Sequence, residues 1–520
     1  MAEKVKLIGR QIMCQPSWPI VLAIVSALLA GCATSSIEMA PDQPDRPWVP
    51  ATNAAGEIIP EAKAPPEQAA GATHVLPVNS ELAEVPSPFE LDSNRTYSLA
   101  ELIDIAQSNN PLTRTAWNNA RNVALAAGIA KSTFLPRLTA AAIGGFQISQ
   151  ISGPLGTTES NELRGTISLV SFEWLLFDFG ERAALVEAAN QASVISNIGF
   201  TAAHQQLIYD VSLAFYANAA ARARVGSAVQ SLKNAEAVQA AAEDKMKRGI
   251  GTAIEVAQAR QATAQARLVM IQATGAAQNA YLSLISAMGI SPLTQIKVAD
   301  VSDRRLSSEM AGSVDKVIFT ALARRPDILA AYAAQKASLA GVRAAEAEFL
   351  PKVFLAGTGS YNNGTLSVSG VPSIGNLSPI LNLSPKGFGG TVLGGVTVPV
   401  FDGGTRAAIL EQAQTKVDNA GLALTRSRDE AIRQIVLANN ALRTSLSAYI
   451  AAKAVTSAAK TTFDAALAAY RNGVGSITDA TMAETQLLQA KNAATDAYST
   501  ALSAAATLAL STGSLGAPLQ

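Results

Sequence analysis

Cysteine and histidine are nearly absent from this chain, which has two of each among its 520 residues. Cys14 lies in a segment that we expect to be removed, and His74 and His204 are far apart in the sequence. A zinc site needs several such ligands close together, and a nucleophilic triad needs a partnered histidine. No Gly-Lys-Ser or Gly-Lys-Thr phosphate loop occurs either. The sequence therefore predicts that the protein is not an enzyme and holds no metal or nucleotide cofactor.

An excess of charge of one sign is also missing, because 40 basic residues balance 40 acidic residues. A chain without a basic excess lacks the attraction that drives nucleic-acid binding, so we expect no nucleic acid among its partners. Aromatic residues make up only 5% of the chain. Long alanine-rich stretches take their place, which favours helices whose backbones pack close together.

The N-terminal segment, residues 1–31, has the pattern of an export signal. It opens with basic residues, and its apolar run, 20–30, is too short to span a bilayer. The run ends in Leu29-Ala30-Gly31-Cys32, which resembles a bacterial lipobox. The resemblance implies that Cys32 becomes the lipid-modified first residue of the mature chain, and Ala33 after it implies sorting to the outer membrane. An ordinary signal peptide with an incidental cysteine is the alternative.

Residues 32–95 are rich in proline and alanine. Proline lacks an amide donor and fixes φ, so we expect no regular structure in this segment. We interpret it as a tether between the lipid anchor and the folded body.

Three motifs occur twice, in the same order. The first motif combines Asn-Pro or Arg-Pro with a later Phe-Leu-Pro, the second is Phe-Asp-x-Gly, and the third is Gly-x-Gly. The offset is 215 residues for the first motif and 224 for the other two, so the repeats differ in length by nine residues between Phe-Leu-Pro and Phe-Asp. We predict two copies of one unit, over 96–292 and 313–512, joined by a linker over 293–312 and followed by a tail, 513–520. The copies of the motifs are Asn110-Pro111 and Arg325-Pro326, Phe134-Leu135-Pro136 and Phe349-Leu350-Pro351, Phe177-Asp178 and Phe401-Asp402, and Gly249-Ile250-Gly251 and Gly473-Val474-Gly475.

Each copy contains one very long predicted helix, over 181–248 and 405–472. Apolar residues recur there at alternating spacings of four and three, in a stripe that includes Met246 in the first copy and Tyr470 in the second. At 1.5 Å per residue such a helix is about 100 Å long. Two shorter helices stacked end to end would match that length. We predict these pairs over 111–134 and 252–288 in the first copy, and over 326–349 and 476–510 in the second.

Between the helices, the segments 138–177 and 352–401 have the character of β-hairpins. Long stretches in both lack charge, and Val392, Val396, Val398 and Val400 alternate with small or polar residues. Strands of a membrane β-barrel have such a pattern, at roughly 9–11 residues per crossing. Four strands cannot close a barrel, so the chain must oligomerise if they span a membrane. We expect the nine extra residues in a surface loop over 362–383. A soluble β-subdomain is the alternative.

The ordered set of motifs resembles the TolC-like outer-membrane factor family, and most closely its lipid-anchored efflux branch. The resemblance implies a mainly α fold with a membrane β-barrel portion, built as a homotrimeric duct. It also implies outer-membrane lipid around the barrel, a periplasmic adaptor protein and an inner-membrane pump that supplies the energy. The exit channel of a type I protein or polysaccharide secretion system is one alternative. A coiled-coil envelope lipoprotein that does not conduct is another.

The resemblance also implies roles for residues at the two Gly-x-Gly turns. Glu255 and Asp479 are equivalent in the two copies and would form an acidic ring at the constriction of the duct. Tyr470 would latch the closed gate, although its counterpart is Met246, and Gly475 and Met482 stand where relatives carry further gate residues. The alternative is that the glycines and carboxylates only end and begin helices. The implied adaptor-docking residues are Gly249, Gly251, Thr252, Gly473, Gly475 and Ser476.

Overall fold

A computed structural model of the chain describes residues 40–41, 44–45, 47–63, 74–83, 87, 89–152, 158–301, 314–364 and 387–516. The predicted signal peptide and Cys32 lie outside these ranges. The chain divides into two units, Met1–Ser87 and Pro88–Gln520. Among the described helices, none has a stretch long and apolar enough to cross a membrane.

The first unit contains a small antiparallel sheet, so the prediction of no regular structure in the tether is wrong here. Strand β1 (Pro50–Thr52) pairs with β2 (Ile58–Lys63). The turn between them is built by Asn53, whose Oδ1 accepts hydrogen bonds from the amides of Ala55 (3.0 Å) and Glu57 (2.9 Å). Proline is tolerated in these strands because a two-stranded sheet consists only of edges.

The second unit contains both predicted repeats. The elements lie within a few residues of their predicted bounds, and each very long helix has 67 residues. The first repeat has α2 (Pro111–Ser132), β4 (Arg137–Ser152), β5 (Thr158–Phe177), α3 (Glu181–Lys247) and α4 (Ala253–Met288), after β3 (Thr96–Tyr97) and α1 (Leu99–Asn109). The second has α6 (Pro326–Ala347), β7 (Lys352–Gly364), β8 (Gly387–Thr397), α7 (Thr405–Arg471) and α8 (Ile477–Ser511), after β6 (Lys297–Val298) and α5 (Val314–Leu322).

The two hairpins form one antiparallel sheet in the order β4-β5-β7-β8. β4 and β5 have 16 and 20 residues, which is longer than the 9–11 that we expected for one crossing. The second hairpin ends at Thr397 rather than at residue 401, because Pro399 has no amide to donate to a partner strand. Val398 and Val400 therefore lie beyond the strand. The segment 362–364, predicted to open a loop, belongs to β7 and pairs with β5.

The helices of the second unit pack side by side. α3 contacts α2 and α4 of its own repeat and also α6 and α8 of the other repeat, and α7 packs against α6 and α8. Eleven of the twelve predicted stripe positions of α3 are buried or half-buried, and the exception is Met246, which is 48% exposed. All twelve positions in α7 are buried or half-buried. The heptad prediction thus holds except at the last turn of α3.

The Asn-Pro and Arg-Pro motifs join the stacked short helices. Asn110 caps α2, and its Nδ2 donates to the carbonyl of Ala287 at the end of α4 (3.1 Å). At the equivalent place, buried Arg325 precedes α6, and its Nη1 donates to the carbonyl of Ser511 at the end of α8 (2.7 Å). In both repeats the residue before the proline satisfies a carbonyl that the end of a helix leaves free.

The main core surrounds elements that the sequence analysis did not predict. β3 and β6 pair in parallel, and α1 begins with a capping box in which Ser98 and Glu101 exchange hydrogen bonds. The predicted linker 293–312 therefore contributes a strand to the core, and Phe89 from the predicted tether packs against that core. Its fully buried members are Leu102, Ala106, Val211, Leu284, Ile285 and Met288.

The Phe-Leu-Pro and Phe-Asp-x-Gly motifs meet where sheet and helices join. Arg182, in the first turn of α3, forms a buried ion pair with Asp178 (2.7 Å), and its guanidinium lies 4.7 Å from the centre of the Phe134 ring. In the second repeat, Arg406 pairs with Asp402 (3.0 Å) and lies 5.7 Å from the Phe349 ring. Each repeat thus binds the end of its short helix to the start of its long one through one arginine.

Candidate functional site

The first Gly-x-Gly turn connects α3 to α4 with a tight backbone. Gly249 has φ of +73°, a conformation that other residues adopt at a cost, and its amide donates to the carbonyl of Met246 (3.0 Å). The amides of Ile250 and Gly251 both donate to the carbonyl of Lys245 (3.1 Å each). A Cβ at Gly251 would lie 2.9 Å from the backbone nitrogen of Met246, so the close approach excludes a side chain there.

The second turn, between α7 and α8, has the same geometry. Gly473 has φ of +80° and donates to the carbonyl of Tyr470 (3.1 Å). Val474 and Gly475 donate to the carbonyl of Ala469 (3.0 and 3.1 Å). A Cβ at Gly475 would lie 3.0 Å from the Cβ of Ala469. In each turn the first glycine is required by its φ and the second by steric contact.

The predicted ring carboxylates lie three residues into α4 and α8. Thr252 Oγ1 accepts from the amide of Glu255 (3.2 Å), and Glu255 Oε2 accepts from the amide of Thr252 (2.8 Å), so the pair forms a capping box. Ser476 Oγ accepts from the amide of Asp479 (3.1 Å) and donates to its Oδ2 (2.8 Å). Each carboxylate therefore stabilises a helix start. Asp479 is exposed and Glu255 is half-buried.

Tyr470 is fully buried between the two helix pairs. It contacts Lys245, which the sequence analysis did not predict. The ammonium of Lys245, at the end of α3, lies 4.3 Å from the centre of the Tyr470 ring, and this lysine is only 7% exposed. Met246, the expected counterpart, is 48% exposed and does not belong to the buried cluster around Tyr470. The heptad pattern failed here because it assigns lysine to the outside of a helix.

Around Tyr470, α3 and α4 pack against α7 and α8 through small and apolar side chains. This contact joins the ends of the two repeats beside both turns. Its buried members are Val238, Ala242, Val256, Ala259, Phe463, Tyr470, Ile477, Ala480, Ala483 and Leu487.

Farther from the turns, the packing of α8 against its neighbours includes a buried acid. Glu484 on α8 is 8% exposed, and its Oε1 has no hydrogen-bond partner. Burial raises the pKa of Glu484, while the Ser231 hydroxyl of α3 and the charge of Lys491 oppose this shift. The carboxyl therefore resists ionisation in the packed state.

This buried acid predicts pH-dependent stability. Because the folded pKa of Glu484 is raised, folding favours its protonated form, and stability falls as the pH rises above the range of an ordinary glutamate. We expect Glu484→Gln to unfold at a higher denaturant concentration than the wild type near neutral pH, with the difference shrinking in acid. Denaturant midpoints of the variant and the wild type at several pH values measure this difference in stability. A difference that did not change with pH would contradict it.

The structure brings six predicted docking residues to the two turns, three at each: Gly249, Gly251 and Thr252, and Gly473, Gly475 and Ser476. The middle residues of the turns, which the analysis did not single out, are exposed and apolar: Ile250 is 65% exposed and Val474 is 83% exposed. Within the described part of the chain, no group of three or more His, Cys, Asp or Glu residues could hold a metal ion.

Comparisons with known proteins agree with this architecture. The model of the family described as outer membrane efflux protein matches residues 102–290 and 317–514. Protein CyaE of Bordetella pertussis is 28% identical over 351 residues, which cover 66% of this chain and 68% of that protein. Outer membrane protein OprJ of Pseudomonas aeruginosa is 27% identical over 377 residues, which cover 72% and 75%.

A solved structure shows the same fold at low identity. The crystal structure of the Campylobacter jejuni CmeC outer membrane channel superposes with a TM-score of 0.67 at 19% identity, over 80% of this chain and 85% of that one. The match of the family model spans both repeats, from α1 to the turn after α8. The chain therefore belongs to the outer membrane efflux protein family, and its place is the outer membrane.

Proposed function

We propose that this protein is the passive exit duct of a tripartite efflux system and that three copies of the chain assemble around one channel. The observation that carries this proposal is the open sheet. Among the described strands, β4 and β8 are the long edge strands of this sheet, and each pairs with a neighbour on one side only. In lipid every backbone donor and acceptor must be satisfied, so such edges require partner strands. Three four-stranded sheets joined edge to edge would make a closed barrel of twelve strands.

The surface of the sheet supports insertion into lipid. Phe388, Val392 and Val396 lie on one face of β8, and each is more than half exposed. A large apolar side chain at every fourth residue of a strand suits the outside of a barrel. The helices leave surface open as the strands do, because α7 packs mainly against α6 and α8 among the described elements and many of its other positions are exposed. The same neighbouring subunits would cover both.

The partners of the proposed duct would be a periplasmic adaptor protein and an inner-membrane pump. The adaptor would dock on the two turns, where exposed apolar Ile250 and Val474 project from backbone that only glycine permits. The pump would supply the energy, so the duct itself would catalyse no reaction. A lipid attached to Cys32 would anchor the mature chain, as the lipobox-like segment predicts.

Recording from planar lipid bilayers tests the proposed duct. Protein purified from outer membranes is expected to run as a trimer and to pass ions through single channels of defined conductance. A monomer that passes no ions would exclude the duct and would favour a coiled-coil envelope lipoprotein.

Replacing the carboxylates beside the turns is expected to change ion selectivity. Three copies each of Glu255 and Asp479 would place six carboxylates around the constriction and favour cations. We expect Asp479→Asn to reduce the preference for cations, measured as the reversal potential in a salt gradient. Asp429→Asn, which replaces an exposed aspartate far along α7, is the matched control and should leave selectivity unchanged. An unchanged reversal potential for Asp479→Asn would show that this carboxylate only caps α8.

A further inference from the structure

The two faces of the four-stranded sheet differ in character. Ala142, Ser168, Tyr361 and Phe388 lie opposite one another on successive strands and therefore share one face, which we call the outer face. Most of the exposed large apolar side chains of the sheet lie on it: Leu138, Phe146, Val170, Tyr361, Phe388, Val392 and Val396. The opposite face is more polar and includes Thr139, Ser171, Thr358, Ser360, Asn362 and Thr391. The outer face is therefore the one that suits contact with lipid.

A groove of about 630 Å³ lies in the outer face. The exposed rings of Tyr361 and Phe388 stand at its side. A Cβ at Gly359 would have no other atom within 4 Å, so the space above this glycine is open. The residues with small side chains that line the groove are Ala140, Ala142, Ser168 and Gly359. The groove is thus an apolar depression in a face that contacts hydrocarbon.

The outer face also marks the two surfaces of the membrane. Trp174, near the helix end of β5, donates from Nε1 to the carbonyl of Phe134 (2.9 Å), and such tryptophans are typical of membrane interfaces. Exposed Arg164 lies on the same face of β5, ten residues farther from the helices. Ten residues span about 34 Å of strand, which is about 24 Å across a membrane at a tilt of about 45°. The apolar band of such barrels is about 25 Å tall, so Arg164 reaches the opposite interface.

Arg164 and the groove are placed to bind one lipid molecule. Ser168 at the groove lies four residues from Arg164 on β5, which is about 14 Å along the strand. A headgroup bound to the guanidinium would direct its acyl chain along the outer face into the groove. A guanidinium has five donors and binds phosphate through two of them, so Arg164 can hold a phosphate while it keeps a contact within the protein.

We propose that the outer face binds one molecule of a phosphorylated, acylated glycolipid of the outer leaflet, with a phosphate on Arg164 and an acyl chain in the groove over Gly359. This inference rests on the proposed function, because it places the outer face in lipid. The helices continue from the Trp174 end of the sheet toward the periplasm, so Arg164 lies at the outer leaflet. A phospholipid of the inner leaflet fits less well, because its phosphate would lie at the level of Trp174.

Native mass spectrometry of the purified protein with lipid A, the phosphorylated and acylated disaccharide of such glycolipids, tests the site. We expect the wild type to bind one lipid A per chain. Arg164→Gln removes the cation and should weaken binding about tenfold or more, as the loss of a charged hydrogen bond implies. Gly359→Leu fills the groove and should weaken binding to a similar extent. Lipid A without phosphates should bind the wild type as weakly as intact lipid A binds Arg164→Gln.

Two matched variants control for general damage to the sheet. Val392→Leu adds bulk to the outer face outside the groove, and Arg137→Gln removes an exposed cation at the helix end of the sheet. Both should bind lipid A as the wild type does. If Arg164→Gln or Gly359→Leu also binds it as the wild type does, the proposed site is wrong. If phosphatidylglycerol binds the wild type as tightly as lipid A, the occupant is a phospholipid and the proposed glycolipid is wrong.

Bilayer recording separates this site from the duct. Arg164→Gln and Gly359→Leu should conduct as the wild type does, because both residues lie on the outer face, away from the channel. A wild type that binds lipid A and passes no ions would refute the duct and retain the lipid site. A wild type that conducts and binds no lipid A would refute the lipid site and retain the duct.

Discussion

Replacing Asp178 by alanine is expected to destabilise the protein by about 3–5 kcal/mol, the usual cost of leaving one member of a buried ion pair unpaired. Asp178 is 6% exposed at its side chain and Arg182 is 8% exposed. Its Oδ2 accepts from both the amide (3.0 Å) and Nε (2.7 Å) of Arg182, and its Oδ1 accepts from the amide of Gly180 (3.3 Å). The variant would lose all of these bonds and keep a buried guanidinium.

Denaturant unfolding of the purified variant measures this loss as a lower midpoint. The control is the double variant Asp178→Ala with Arg182→Leu, which leaves no unpaired charge and should recover part of the stability. Arg182 also donates to the carbonyl of Thr133 (2.9 Å), so recovery should be incomplete. If the double variant were less stable than Asp178→Ala alone, the unpaired charge would not be the cause.

Adding a side chain at the second glycine of each turn should abolish most of the transport that depends on the adaptor. With Gly251→Ala and Gly475→Ala together, each new Cβ would meet atoms at 2.9–3.0 Å, so both turns must shift. Ile250 and Val474 would move with them. We expect binding of the adaptor to weaken about tenfold or more, a change of about 1.4 kcal/mol. Binding of purified adaptor, and export by cells that carry the adaptor and pump, measure the effect.

Gly226→Ala is the matched control for the turn variants. Gly226 lies inside α3 with open space where a Cβ would stand, so alanine should fit there. Helix propensity even favours it, by up to about 1 kcal/mol. Transport should be unchanged in this variant. If the turn variants bound the adaptor as the wild type does, docking at the turns would be wrong, while the duct could still conduct in a bilayer.

Much of the fold could be predicted because its determinants are local or periodic. Prolines and Gly-x-Gly motifs end helices, and the stripe of α7 is buried or half-buried at all twelve predicted positions. The failures have equally physical reasons. β3 and β6 are two residues each and are separated by about two hundred residues, so no local pattern marks them. The sheet in the predicted tether formed because prolines can occupy edge strands.

The sequence by itself determined the duplication, the length of the helices and the places where they end, and it predicted partner subunits for strands that span a membrane. Those features follow from spacing, backbone chemistry and the open edges that four strands must leave. Only the tertiary structure decided which charges are buried. Lys245, Arg182 and Glu484 resemble ordinary surface residues in the sequence, but each is more than nine-tenths buried. Burial depends on which helices meet, and that pairing is made between residues far apart in the chain. The contact of Lys245 with Tyr470 is of this kind, since 225 positions separate two residues that meet at 4.3 Å.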